Sequence, residues 1–478
     1  MNSIFRHTNT GLLCMVCLLA LAISSVTIAQ SDIAVKGYQT PKFNFLRFKE
    51  DWSSLKGIDR KDLQPSERIK YIELSKNGNN WVSFGGHLRS RFENHRNFAF
   101  GTPADADDSF VLYRALFHAD WHFGEQLRIF SEIKHADIGS RDLPGRARPI
   151  DEDELEVQQL FIDYTFDIGA DSTLAFRVGR QEYGFGKSRL ISPLPWANAL
   201  RHWDGITGIL NTPQFNVNFF YSSFNPVDQD GFNNNDSNNQ LAGIYATQKL
   251  SANNGIEYYW LRTEREDVTF NGTSGDEDRD TFGIRHWGII SGLLDYEVEG
   301  AYQTGDVGTG NVSAFMFTGE VIYAVPGASN SKLSFAVDYA SGDDEAAGEV
   351  NTFNQLFPLG HAYFGFIDLV GRQNILDISA AYRTRISDRT NVRVAIHNFF
   401  RADDADALYN AGGGVVRAGD ASASSDIGRE IDLTLSYKLS NQVTGSLGYS
   451  QLFAGDFLSD TGADENARFA YAELLYNF

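Results

Sequence analysis

Cysteine is almost missing from this chain of 478 residues, and both copies, Cys14 and Cys17, lie close to the N-terminus. Arg6 and His7 precede an apolar run from Gly11 to Ile23, and the small residues Ser24 to Ala29 follow it. This order predicts a secretory signal, residues 1–29, cleaved after Ala29. The exported chain then carries no thiol, which excludes disulfides, thiol catalysis and Cys-ligated metals. Positive charge is also in deficit: 41 Lys and Arg against 62 Asp and Glu give a net −21. An acidic chain of this kind is a poor partner for nucleic acid. Beyond the first thirty residues no apolar run approaches the ~20 residues of a spanning helix, so a polytopic helical membrane protein is excluded. The ten histidines are scattered without metal-ligand spacing, and no Gly-x-Ser-x-Gly elbow is present. No metal, cofactor or catalytic residue is therefore expected.

What is present is alternation. Residues 30–80 are lysine-rich without a sustained period and predict an N-terminal periplasmic lead. From Trp81 to Phe478 the period becomes two. Val82, Phe84, Leu88 and Phe92 alternate with His87, Arg89, Arg91 and Glu93, and Val111, Tyr113, Ala115 and Phe117 alternate with Arg114, His118 and Asp120. Segments of this kind recur about eighteen times, each close to the 9–11 residues of a tilted transmembrane strand. The connections between them run long, short, long, short. Tight turns include 123–125, 169–171, 212–213 and 440–441; long loops include the excursion between the strands near 172–182 and 204–211, and 224–239, 265–279, 342–373 and 401–428. Soluble sandwiches have no reason to keep every second loop short, whereas an outer-membrane barrel does. The fold class expected is all-β, a transmembrane antiparallel β-barrel of about 18 strands over residues 81–478. The chain's last alternating strand ends on Phe478, as the insertion signals of outer-membrane proteins do, and implies contact with the barrel-assembly machinery.

A barrel this wide leaves an aqueous lumen, so function is sought on its inner wall. The polar parity of the strands gives pore-lining candidates His87, Arg89, Arg91, Arg114, His118, Arg128, Lys134, Arg177, Arg383, Arg385 and Arg393. Closure of the ring makes the early and late basic strands neighbours. Asp295, Glu297, Glu299 and Asp338 form an opposing acidic sector. The long loop after the strand near 172–182 carries Lys187, Arg189, Trp196 and Arg201, the candidates for a gate. The acidic clusters at 105–108, 276–280, 343–345 and 403–406 are expected to be solvated extracellular tips.

Several of these stretches have a familiar order. Gly179-Arg180-Gln181-Glu182, Tyr183-Gly184, Arg189-Leu190, Trp196 and Trp203-Asp204-Gly205 follow Gly85-Gly86-His87-Leu88-Arg89 and Gln158-Gln159-Leu160-Phe161. Asn354-Gln355-Leu356-Phe357-Pro358, His361, Phe364-Gly365, Asn374, Glu430-Ile431-Asp432-Leu433 and Gly455-Asp456-Phe457-Leu458 come after them. In this ordered set the chain resembles the alginate-export family of outer-membrane proteins. The resemblance implies an 18-stranded barrel, an arginine-rich constriction, and passage of an anionic polysaccharide governed by a long loop. The acidic sector departs from that pattern.

The expected function is an outer-membrane channel for passive export or diffusion of an anionic polysaccharide, oligosaccharide or organic anion. A substrate-selective uptake porin for another small solute is the alternative, and an outer-membrane hydrolase a remote one. Partners expected are the anionic solute, outer-membrane lipid and lipopolysaccharide, in a Gram-negative outer membrane.

Overall fold

A computed structural model describes residues 41–478 apart from 328–329 and 346–347; the expected signal sequence lies outside the described residues. Its main sheet has 19 strands, the two-residue Ile72–Glu73 and the eighteen of a closed antiparallel barrel. The first nine barrel strands are β1 (Asn80–Arg96), β2 (Asp108–Phe123), β3 (Leu127–Ile138), β4 (Asp153–Gly169), β5 (Ser172–Gln181), β6 (Trp203–Asn211), β7 (Phe215–Phe224), β8 (Asp236–Lys249) and β9 (Gly255–Phe270). The second nine are β10 (Thr273–Ser291), β11 (Leu294–Val307), β12 (Gly310–Ala324), β13 (Lys332–Ala340), β14 (Ile375–Ser387), β15 (Thr390–Phe400), β16 (Asp426–Lys438), β17 (Val443–Ala454) and β18 (Ala467–Asn477). Each pairs with the next, and β18 closes on β1 in a register running from His87↔Asn477 to Arg96↔Arg468.

The two faces separate as the alternation requires. Phe92, Phe117, Ile133 and Ile162 point outward and are 44, 44, 47 and 49% exposed, while Arg91, His118, Lys134 and Phe161 point inward and are buried. Large exposed apolar side chains around a sheet without edges describe a lipid-facing wall, the closed form that satisfies every backbone group in a bilayer.

The loop expected at 265–279 is not a loop. β9 and β10 continue above the lipid and meet at Asn271–Gly272, both at positive φ (38° and 85°), as a two-residue hairpin turn needs. Charges broke the apolar alternation there, but they pair across the ladder: Arg265 with Glu277 at 2.5 Å and Arg262 with Asp278 at 2.8 Å. β11 and β12 meet in a similarly tight turn at 308–309, so the long-short rhythm lapses twice on the extracellular side. Nor are all acidic clusters solvated tips. Glu277, Asp343 and Asp406 are buried, while Asp105 and Asp107 are exposed.

Candidate functional site

The lumen is largely filled by its own chain. The 182–202 loop leaves β5 and dips inside the barrel, where the basic wall receives it by its carbonyl groups. Arg89 Nη1 donates to the carbonyls of Pro195 and Trp196, both at 3.1 Å, and Nη2 to Ala197 at 2.9 Å. Arg114 Nη1 donates to Ala197 at 2.7 Å and to Pro195 at 3.1 Å, and Arg91 Nη1 to Trp196 at 2.7 Å. Asn198 completes the seat by donating to the carbonyls of Tyr113, Asp137 and Asp151. Bonds from a charged donor to a carbonyl are the stronger kind, and here they are shielded from water. The gate candidate Trp196 lies under Arg91 (3.8 Å from guanidinium to ring) and stacks on His361 at 3.6 Å.

His361 belongs to a second inward loop, 341–374, which runs alongside the first. Phe357 N donates to Leu190 O and Ser192 N to Phe357 O, at 2.8 and 2.9 Å, and Arg201 Nη1 reaches Pro358 O at 2.9 Å. Loop arginines complete the joint against the acidic wall. Arg189 Nη1 lies 2.5 Å from Glu297 and 2.7 Å from Glu299, exposed Lys187 is 3.6 Å from Glu297, and Arg372 pairs with Asp338. Burial alone would lower the Arg189 guanidinium, but Tyr363, Glu299, Asp338 and Glu297 together raise it above its ordinary value. Arg201 has no such compensation, and burial pushes it down to about 10. On the far wall Glu430 Oε1 accepts the amides of Phe366 (2.7 Å) and Ile367 (3.1 Å). Gly365 makes this approach possible: its φ is +78°, and a Cβ there would fall 2.3 Å from the Glu430 carboxyl.

All the pore-lining candidates face inward, but most are occupied. His87 accepts from Arg114 Nε at 3.0 Å, Arg128 pairs with Asp120, Lys134 with Asp153 and Arg177 with Asp163, the three pairs each at 2.7 Å. His118 is buried 3.9 Å from Glu132. Three candidates differ. Arg383 and Arg393 stand directly opposite each other on β14 and β15, with Arg385 next along the same face. Among the described residues none of the three has an ion-pair or hydrogen-bond partner, and Nε and Nη1 of Arg393 are buried without one. With Lys332, Asn391, Thr434 and Ser436 they line a cavity of about 370 Å3 at the end of the barrel that carries the short turns. Like charges opposed on a sheet repel, and nothing among the described residues offsets this pair by a hydrogen bond or ion pair. The acidic sector was legible in the sequence as such; Arg372 and Phe366 were not, because nothing local distinguishes a loop residue that meets a distant element.

The family described as alginate export matches residues 80–471, nearly the whole barrel. The chain belongs to the alginate export family. Among solved structures it is similar to OpdK of Pseudomonas aeruginosa, solved with vanillate, at 10% identity and a TM-score of 0.56 over 83% of this chain and 98% of that one. P. aeruginosa OccD3 (OpdP) matches at 10% and 0.56, over 86% and 94%. OccAB1 of Acinetobacter baumannii matches at 11% and 0.55, over 86% and 100%. At such identities the likeness is one of fold. No protein with a curated description matches the sequence. Family and fold together make this member of the alginate export family an outer-membrane channel of a Gram-negative bacterium, for export or diffusion of solutes.

Proposed function

We propose that this channel passes anionic solutes along the wall that carries Arg383, Arg385 and Arg393. The observation behind the reading is a contrast between two like-charge pairs. Arg89 and Arg114 face each other across β1 and β2, just as Arg383 and Arg393 do across β14 and β15. The first pair is satisfied by the loop carbonyls at 195–197, with Glu473 3.9 Å from Arg89; the second lines the cavity without a hydrogen-bond or ion-pair partner among the described residues, Arg393 lying 5.5 Å over the Phe366 ring. Mobile anions stepping past a row of unpartnered guanidinium groups are favoured over cations, as in anion pores built on Arg and Lys rings. Glu320 and Asp432 lie near enough to Arg393 to weaken its field, which keeps a bound anion from being held too tightly to leave.

The solute is an anionic polysaccharide, oligosaccharide or small organic anion. With both loops seated, the cavity of about 370 Å3 beside Arg383 and Arg393 has room for the smaller members of that class. Vanillate, the molecule in the OpdK structure, is a convenient probe of that class. Lipid and lipopolysaccharide surround the outer face in this reading, and β18 is its handle for barrel assembly.

Planar-bilayer recording tests it. The wild-type channel is expected to be anion-selective and to be blocked by small carboxylates or polyuronate, and Arg383→Gln with Arg393→Gln to lose both properties. Cation selectivity in the wild type, unmoved by the double substitution, sinks the proposal.

A further inference from the structure

The region of wall bearing His118, Arg128 and Arg177 is covered from the short-turn end by the N-terminal segment. Phe48 meets Phe130 and Phe161 edge-on, at ring-centroid distances of 6.1 and 5.6 Å, and both belong to the inner face of β3 and β4. Arg177 lies 4.3 Å over the Phe48 ring, and Arg128 Nη2 donates to the Phe48 carbonyl at 2.6 Å. Arg47 and Lys70, 2% and 1% exposed, both donate to the main-chain oxygen of Phe478 at 2.9 Å, beside the seam where β18 joins β1. β1 is shaped for this contact. A Cβ on Gly85 would fall 2.2 Å from Lys70 Nζ and 2.6 Å from a ring carbon of His118. Trp52, Leu55 and Leu63 complete the seat against Trp81, another inner residue of β1.

A merely tethering segment would have no reason to insert aromatic and cationic side chains among inward-facing wall residues. We infer that residues 43–71 are a resident plug that sets the channel's selectivity. Filling the side of the lumen under His118, Arg128 and Arg177, the plug confines solute to the opposite wall, where the unpartnered arginines stand. The confinement needs an open channel but not the identity of its solute, so the conductance test stands if the anionic reading fails, while the selectivity test rests on that reading.

Two substitutions should unseat the plug without touching the Arg383 wall. Phe48→Lys sets an ammonium against Arg177, which lies 4.3 Å over the native ring, and Gly85→Val fills the place of Lys70 Nζ. In barrels that remain heat-modifiable on gels, and so assembled, single-channel conductance is expected to rise about two-fold or more, as for a lumen with a second open path. Selectivity should at the same time become less sensitive to Arg383→Gln with Arg393→Gln. Unchanged conductance in assembled Phe48→Lys and Gly85→Val barrels overturns the inference. A milder variant keeps the question open to refutation if these fail to assemble. Phe48→Cys in outer-membrane vesicles should react with a charged thiol reagent at least about ten-fold more slowly than Lys61→Cys, whose side chain is 75% exposed. Equal rates overturn the plug.

Discussion

Arg89 and Arg114 are cross-strand partners that share one acceptor, the carbonyl of Ala197, at 2.9 and 2.7 Å. Two guanidinium groups side by side would repel, and the loop's carbonyl dipoles offset this together with Glu473, 3.9 Å from Arg89. The basic sector nearest the barrel seam therefore holds the loop and is not free to meet a solute. Replacing both with glutamine removes charge-assisted bonds of roughly 1.5–3 kcal/mol each. The 182–202 loop should then leave its seat for part of the time. Single-channel records are expected to show long openings of higher conductance that the wild type lacks, with anion selectivity kept because Arg383 and Arg393 are intact. Loss of selectivity in this variant would return Arg89 and Arg114 to the solute's path.

The opposite joint is ionic. Arg189 Nη1 is shared by Glu297 and Glu299, and Tyr259 donates to Glu299 at 2.9 Å. Arg189→Met leaves two buried carboxylates facing each other, with only Arg285 at 2.8 Å from Glu297 and Lys187 at its edge to offset them. Breaking one side of a buried pair costs about 3–5 kcal/mol. The thermal unfolding temperature in detergent should fall by several degrees, and Glu297→Gln with Glu299→Gln in the same chain should restore much of it. A second substitution that only adds to the loss would refute an electrostatic origin.

The barrel was legible because lipid and lumen impose opposite chemistry on successive residues, which writes eighteen strands into the parity of the chain. Where both faces of a strand leave the lipid, as at Arg265 and Glu277, that signal vanishes and the strands read as a loop. The inward direction of the arginines followed from the same parity. Their partners did not follow, because the pairing of Arg89 with Ala197 joins residues more than a hundred positions apart through a loop whose path depends on the closed wall. Phe48 was equally opaque: its segment has no period, and its place is set by Phe130, Phe161 and Arg177 rather than by its neighbours in sequence.

The remaining prediction concerns pH and the seating of the extracellular loops. Asp343, 1% exposed, faces Asp406, whose Oδ2 accepts the Asp343 amide at 3.1 Å along with the hydroxyl of Thr352 at 2.6 Å. Tyr409 donates to the other Asp406 oxygen at 2.7 Å, Arg401 lies nearby, and Asp344 adds negative charge. Oδ2 of Asp343 has no partner among the described residues. Burial first, then the charges of Asp406 and Asp344, push the Asp343 carboxyl up to about 6, although amides of Glu345 and Asn351 oppose the rise. A raised carboxyl pKa means that the packed loops bind a proton that released loops give up. Between about 6 and the ordinary value of 3.8, lowering the pH therefore tightens the joint between the 341–374 and 401–425 loops, and raising it through 6 loosens it. The equilibrium between packed and released loops should shift by at most about ten-fold per pH unit, the limit for a single proton. Protease nicking of these loops in intact vesicles is expected to be slower at pH 5 than at pH 7.5, after correction for the protease's own pH profile on an unfolded substrate. Burial raises the Asp406 carboxyl as well, so Asp343→Asn should reduce the difference and Asp343→Asn with Asp406→Asn abolish it; a pH dependence that persists in the double variant would place the titrating group elsewhere.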